Sequence, residues 1–144
     1  MTRYLLDTNI VSEAVKPQPS AAVADWVQRQ ADEDLFISTL TVAEIWRGVL
    51  EMASGRRRRD LEVWFAGPEG PSALFSGRVL SFDELSAMAW ARIMAAGTNA
   101  GRPRSPVDTI IAATAAANGC VVVTANERHF RGVVEFLNPA RNAG

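Results

Sequence analysis

Apolar residues along the chain follow two rhythms. Short runs of strand length, bounded by cap or turn residues, stand at Arg3-Tyr4-Leu5-Leu6, Leu35-Phe36-Ile37, Arg78-Val79-Leu80-Ser81-Phe82 and Cys120-Val121-Val122-Val123. A weaker run covers Val133–Leu137 before Asn138-Pro139. Between these runs, apolar residues recur at helical spacing. Thr8 to Val15 predicts a short helix stopped by Pro17 and Pro19, and Ser20 caps a second with Val23, Trp26 and Val27 on one stripe. A long helix starts at Thr39, carries Val42, Ile45, Trp46, Val49 and Leu50, and ends before Gly55. The run Arg56-Arg57-Arg58-Arg59 and Leu61–Phe65 predict the second arm of a helical hairpin, broken at Gly67-Pro68-Glu69-Gly70-Pro71. Asp83 caps a helix to about Ala96, Gly97 to Pro106 reads as a loop, and Val107 to Asn118 as an Ala-rich helix ended by Gly119. Strands alternating with helices predict βαβ units: a three-layer α/β/α fold around a parallel sheet of four to five strands.

At 144 residues the chain is expected to form one domain over 1–144, with Ala140–Gly144 frayed. A domain of that length buries roughly 68–70% of its unfolded surface and needs no covalent staple. Hydrophobic residues make up 48% and charged residues 22%, which argues against disorder. Cys120 is the only cysteine, so an intrachain disulfide and a Cys-based metal cluster are excluded; the valines after it predict a small core residue. Leu5-Leu6 is stopped by Asp7, far short of a secretory leader, and no run approaches the roughly 20 apolar residues of a membrane span. The expectation is a cytoplasmic protein with no membrane partner. The net charge of −1 excludes a generally basic nucleic-acid binder, yet of 15 cationic side chains only Lys16 is lysine. Arginine is the better bidentate phosphate ligand. The run at 56–59 fits either a solvated helix face or a phosphate contact.

The chemistry lies in the acids. Ligands of open parallel sheets bind beyond the carboxyl ends of the strands. Asp7 closes the first strand, Glu44 sits about one turn into the helix after the second, and Asp108 opens the helix leading to the fourth, which Thr124 and Asn126 follow. Two bare carboxylates ~4 Å apart repel by about 4 kcal/mol at an effective dielectric of ~20. A fold gathers such groups where a hard divalent cation neutralises them, and Mg²⁺ or Mn²⁺ prefers oxygen ligands. Such cations polarise phosphoryl oxygens and acidify water, the chemistry of phosphodiester hydrolysis. Taken singly, each acid has a plainer role: Asp7 as a helix cap, Glu44 as a surface residue, Asp108 as a first-turn acid favoured by the helix dipole.

Taken together, these segments resemble the PIN-domain family, and within it the VapC-type, FitB-like toxins of toxin–antitoxin pairs. The matching pieces are Leu5-Leu6-Asp7-Thr8-Asn9, Ile37–Ile45 with Gly48 one turn on, Pro106–Ala115, and Val123-Thr124-Ala125-Asn126 through Phe130, closing with Leu137-Asn138-Pro139. The resemblance implies a Mg²⁺- or Mn²⁺-dependent endoribonuclease, a homodimer, RNA as substrate and a cognate antitoxin that blocks the site. It implies Asp7 and Asp108 as the main metal ligands, Glu44 completing the shell or orienting water, and Thr8 and Thr124 as hydroxyls that orient the carboxylates. It also implies that the hairpin around Arg56–Arg59 helps form the groove for the antitoxin tail.

The chain departs from the family at one place. A fourth acid is usual where Asn126 or His129 stands, and neither position is acidic here. Asn126 still offers an amide oxygen. His129, the only histidine, is read as a turn or surface residue rather than a ligand, and Glu127 lies off the family's register. The departure bears on a second metal position more than on the first, predicting one tightly held cation. Arg102 and Arg104, flanking Pro103 just before Asp108, are placed to contact substrate phosphates. Trp26, Trp46, Trp64 and Trp90 are read as core residues. Three other readings compete. A signalling receiver domain needs a lysine near its acidic pocket, and Lys16 beside Pro17 does not serve. A nuclease for structured DNA needs long insertions that the chain lacks. A catalytically silent module that only binds its antitoxin or RNA is kept open by the missing fourth acid.

Overall fold

The computed structural model describes residues 1–141. The expected fraying of the last five residues concerns mostly positions outside that range. Ala140 and Arg141 are held instead, their N–H groups donating to Asn138 Oδ1 and to the Asn138 carbonyl, each at 3.1 Å.

Five strands form one parallel sheet: β1 (Arg3–Leu6), β2 (Leu35–Ser38), β3 (Val79–Leu80), β4 (Cys120–Val123) and β5 (Phe136–Leu137), in the order β3-β2-β1-β4-β5. The connections run from β1 outward through β2 to β3, then return to place β4 on the other side of β1. β1 and β4 therefore flank the point where strand order reverses, and a crevice opens beyond their carboxyl ends. Leu6 pairs with Val123, and the Asp7 N–H donates to the Val123 carbonyl at 2.9 Å, carrying the ladder one residue further.

Period-two alternation sorts the strand residues onto two faces. Leu5, Phe36 and Val122 pack with Ile111, Ala112 and Ala115 on one face, beneath α7 (Asp108–Asn118), with Ile93 of α6 (Glu84–Asn99) against them. Leu6, Leu35, Ile37 and Val123 pack on the other with Ile10 and Val11 of α1 (Thr8–Ala14) and Val23 and Trp26 of α2 (Ala21–Gln28). Val42 and Ile45 of α3 (Thr39–Leu50) close that side. The result is the α/β/α layering expected from the sequence. Gly119 ends α7 with φ at +64°, a conformation glycine adopts without a Cβ clash.

The structure corrects several boundaries. The third strand keeps only Val79–Leu80, because Ser81–Asp83 turns to cap α6, with Asp83 accepting from Ser86 N–H at 2.9 Å. The fifth keeps Phe136–Leu137, because the Val133 and Val134 N–H groups turn back to the Phe130 carbonyl. The break after α4 (Arg56–Ala66) ends at Pro71, which starts a short helix, α5 (Pro71–Leu74), at a position where a missing N–H costs nothing. α6 continues past Ala96 to Asn99. No described helix is long and apolar enough to cross a membrane.

Of the tryptophans, Trp26 is buried edge-on to Tyr4, with ring centroids 5.0 Å apart. Trp46 of α3 stacks on Phe65 of α4 at 4.7 Å, fastening the helical hairpin. Trp90 is a tether as well as a packing residue: its indole N–H donates to the Pro106 carbonyl at 3.1 Å, fixing the loop before Asp108 to α6.

Candidate active site

Beyond the carboxyl edge of the sheet lies a cavity of about 330 Å³ whose wall includes Asp7, Glu44, Asp108, Asn126 and His129. Three segments remote in sequence thus bring their acids to one space.

Asp7 is the buried member, 8% exposed. One carboxylate oxygen caps α1 by accepting from Thr8 N–H at 2.8 Å. The other accepts from the Thr124 hydroxyl at 2.8 Å and from the Asn9 amide at 3.1 Å. Asn9 also accepts from Ala125 N–H at 3.1 Å, and Asn126 N–H donates to Thr124 Oγ1 at 2.9 Å, so the ends of β1 and β4 are laced around this carboxylate. Burial pushes the Asp7 carboxyl above its ordinary range; the Thr124 and Thr8 hydrogen bonds pull it down, Glu44 adds repulsion and His129 some attraction. Burial wins. Among the described residues no cationic side chain pairs with Asp7 within salt-bridge distance.

Glu44 is exposed to the cavity and held at one oxygen by the Thr8 hydroxyl, at 2.7 Å. A hydroxyl has one proton to give. Thr8 spends its proton on Glu44, so Thr41 donates to Thr8 at 3.0 Å, and Ser38 donates to Thr41 at 3.2 Å. The chain Ser38, Thr41, Thr8, Glu44 is a directed relay of hydroxyls, and bonds in such a series polarise one another. Ser38 in turn caps α3 through Thr41 N–H.

Asp108 stands at the first turn of α7, nearly half exposed. Its near neighbour is His129, whose Nε2 lies 3.6 Å from Asp108 Oδ2; the Asn126 amide lies 3.3 Å from His129 Nδ1. His129 lies in a short 3₁₀ turn, Glu127–His129, as the turn reading expected, and its ring also faces the cavity. Glu127 faces elsewhere. It binds Asn138 at 2.9 Å, Arg131 at 3.0 Å and Arg141 at 3.1 Å, tying this turn to the C-terminal segment.

Arg102 and Arg104 do not line the carboxylate cavity; they border a neighbouring depression that shares Asp108 and His129 with it. Of the arginine run, Arg58 pairs with Glu62 at 2.8 Å, while Arg56, Arg57 and Arg59 are exposed and line no part of the cavity. Asn9, Thr41 and Ser38 are the supporting residues that sequence reasoning did not single out. The signal was present in spacing: Thr41 lies one helical turn before Glu44, and Asn9 two residues past the Asp7 cap.

The donor set suits a hard divalent cation. Asp7 is a desolvated carboxylate without a counter-cation, and its neighbours across the cavity offer oxygens. Among the described residues no three acidic, histidine or cysteine side chains converge on one point. Mg²⁺ needs only one or two carboxylates and keeps several waters, so the arrangement meets its demand without a closed protein cage.

The family model of the PIN domain matches residues 4–135. The chain is 39% identical over 136 residues to the plasmid stability protein StbB of Pseudomonas syringae, covering 94% of this chain and 96% of that protein. It is 36% identical, with the same coverage, to the VapC ribonuclease Y4jK of Sinorhizobium fredii. The crystal structure of FitAcB from Neisseria gonorrhoeae superposes with a TM-score of 0.87 at 34% identity, over 95% of this chain and 98% of that one. This chain belongs to the PIN-domain family. Within it, the resemblance is to the VapC and FitB kind of toxin.

Proposed function

We propose that the protein is a divalent-metal-dependent endoribonuclease acting in the cytoplasm as the toxin of a toxin–antitoxin pair. The observation that carries this reading is the buried carboxylate of Asp7, without a cationic side chain in salt-bridge range among the described residues, set at the strand-order reversal and sharing one cavity with Glu44 and Asp108. The name of the S. fredii relative, a ribonuclease, supports RNA as substrate.

Asp7 and Asp108 would hold Mg²⁺ or Mn²⁺, with Glu44 completing the shell or orienting water. When bound, the cation supplies Lewis-acid polarisation of a phosphoryl oxygen and acidifies water. Thr124 and Asn9 fix one oxygen of Asp7 and leave its direction little freedom. The hydroxyl relay through Thr8 does the same for Glu44, whose free oxygen accepts a hydrogen bond from the attacking water and aims it at phosphorus. Asn126 contributes its amide to the wall where a fourth acid is usual. With no acid there, the residues present would hold one cation tightly and a second only weakly or with substrate.

Two partners complete the reading. A groove lined by Gly48, Met52, Leu61 and Trp64 opens directly beside Thr8 and Glu44 and would seat an apolar stretch of the antitoxin. Phe82, Leu85 and Met88 leave an apolar strip exposed at the start of α6, which supports a homodimer.

The test is incubation of partner-free protein with total RNA, with Mg²⁺, Mn²⁺ or chelator, beside Asp7→Asn. Metal-dependent cleavage that disappears in the variant is expected. A folded, metal-supplied wild type that cuts none of tRNA, rRNA or mRNA would favour a silent binding module instead, with Asn126 and His129 as the first residues to restore to acids.

A further inference from the structure

The surroundings of the carboxylate cavity are strongly asymmetric. On the side of α6 and the loop before α7 it continues into two depressions of about 510 and 630 Å³. The first shares Asp108 and His129 with the cavity, and the second shares Arg102, Arg104, Arg131 and Gly132 with the first. Together they form one trough leading away from Asp108. Among the described residues its walls carry five arginines, Arg92, Arg102, Arg104, Arg128 and Arg131, and a single acid, Asp108. Arg131 is engaged by Glu127; among the described residues the other four have no carboxylate within 4 Å. On the opposite side, the groove beside Glu44 is lined mainly by apolar residues and, among the described residues, by no cationic side chain.

The trough is also constructed. The loop carrying Arg102 and Arg104 is stapled to α6 at both ends, by Arg102 N–H to the Gly97 carbonyl at 2.8 Å and by the Trp90 indole to the Pro106 carbonyl. Gly97 makes this approach feasible: a Cβ there would stand 2.8 Å from the Arg102 carbonyl oxygen and 3.2 Å from Arg104 Cγ. The stem of Arg104 lies across that glycine, and its guanidinium reaches the wall at Gly132. Clustered guanidinium groups without counter-charges repel one another, and a planar fork of this kind matches phosphate oxygens two at a time.

We propose that this trough receives the phosphate backbone of single-stranded RNA on one side only of the scissile bond, the other flank leaving the protein without phosphate contacts. The proposal rests on the ribonuclease reading and deepens it, making Arg102, Arg104 and Arg128 positioning residues for substrate. A backbone-tracking groove of this type binds through charge and is strongly salt-dependent.

The experiment measures binding of a single-stranded RNA spanning a cleavage site to protein carrying Asp7→Asn, which leaves the RNA intact. It is repeated with RNA trimmed on one side or the other, across a tenfold range of salt. For single strands the slope of log affinity against log salt is about −0.7 per phosphate neutralised. Adding Arg102→Gln, Arg104→Met and Arg128→Gln should flatten that slope by about 2, so the affinity loss is about 100-fold larger at the low-salt end. Because Arg104 packs against α6, the double variant Arg102→Gln/Arg128→Gln, at two exposed positions, is measured beside it and should flatten the slope by about 1.4. Trimming one flank should weaken binding to the parent and not to the triple variant, whereas trimming the other should affect both equally. An unchanged slope, or equal dependence on both flanks, overturns the trough while wild-type cleavage leaves the ribonuclease reading standing. A wild type that cleaves no RNA overturns both. Poly-L-glutamate bound as tightly as RNA, and lost in the same variants, would make the trough a surface for acidic polypeptide and overturn the proposal.

Discussion

Asp7→Asn is informative beyond activity, because burial makes this carboxylate a burden on the fold. Its folded-state pKa lies above the ordinary carboxylate value, so the charged form is disfavoured in the folded protein. Below the unfolded pKa, near 3.9, both states hold the proton and the group has no effect. As pH rises, the unfolded chain releases its proton first, and stability falls until pH has passed the folded pKa. Each pH unit between the two pKa values costs about 1.4 kcal/mol at neutral pH. Asparagine keeps the size and caps a helix as well as aspartate does. It presents an amide N–H₂ where Asp7 Oδ2 now accepts from Thr124 and Asn9, a penalty of about 1–3 kcal/mol that does not change with pH. The discriminating quantity is therefore the slope. Urea unfolding in chelator, from pH 4 to 8, should show the wild type losing stability relative to Asp7→Asn as pH rises. Mg²⁺ at about 100 times its dissociation constant should return about 2.7 kcal/mol to the wild type alone. A wild-type-minus-variant difference that is flat across this range, in chelator, would refute the argument that Asp7 is a desolvated anion awaiting a cation.

Two further outcomes are expected. Thr8→Val removes the hydroxyl that holds Glu44 and ends the relay from Ser38; cleavage should fall by about 10–100-fold, with melting temperature little changed and Thr8→Ser restoring most of the rate. The Glu127 carboxyl is held below its ordinary range, first by Asn138 and then by Arg131 and Arg141, so its contribution is present at neutral pH and lost on acidification through the folded pKa. Glu127→Gln should accelerate hydrogen exchange across 127–141 at neutral pH while leaving β1 and β2 protected.

Much of this architecture was legible because two periodicities run through the chain without conflict. The strands β1, β2 and β4 carry alternating or continuous apolar residues, and Asp7, Ser38 and Thr124 mark the polar step at each carboxyl end. The periodicities do not carry the glycine, proline and cap positions, where local backbone geometry decides, nor the one contact that is distant in sequence. Gly97 reads locally as a helix terminator, yet α6 runs through it, because the absent side chain admits the Arg102–Arg104 segment. Pro71 reads as a breaker beside Gly70, yet it opens a helical turn. Ser81 and Phe82 extend an apolar run, but the Asp83 cap claims the backbone first. His129 gave no periodic signal; its place opposite Asp108 comes from a short 3₁₀ turn at Glu127–His129 that pairs with neither strand.

The hydrogen bonds around the acids divide into two webs. One joins Asp7 to Asn9, Thr124, Ala125 and Asn126; the other joins Glu44 to Thr8, Thr41 and Ser38. They meet at a single peptide unit, where Asp7 is joined to Thr8. Supporting residues within one web share partners and their substitutions are non-additive, whereas supporting residues drawn from the two webs are joined by hydrogen bonds only through that junction; the two carboxylates themselves also feel each other's charge. The Asp7–Thr8 peptide is in that sense a hinge pin for evolution. Each half of the site is free to drift in its supporting residues, while those two adjacent positions are answerable to both.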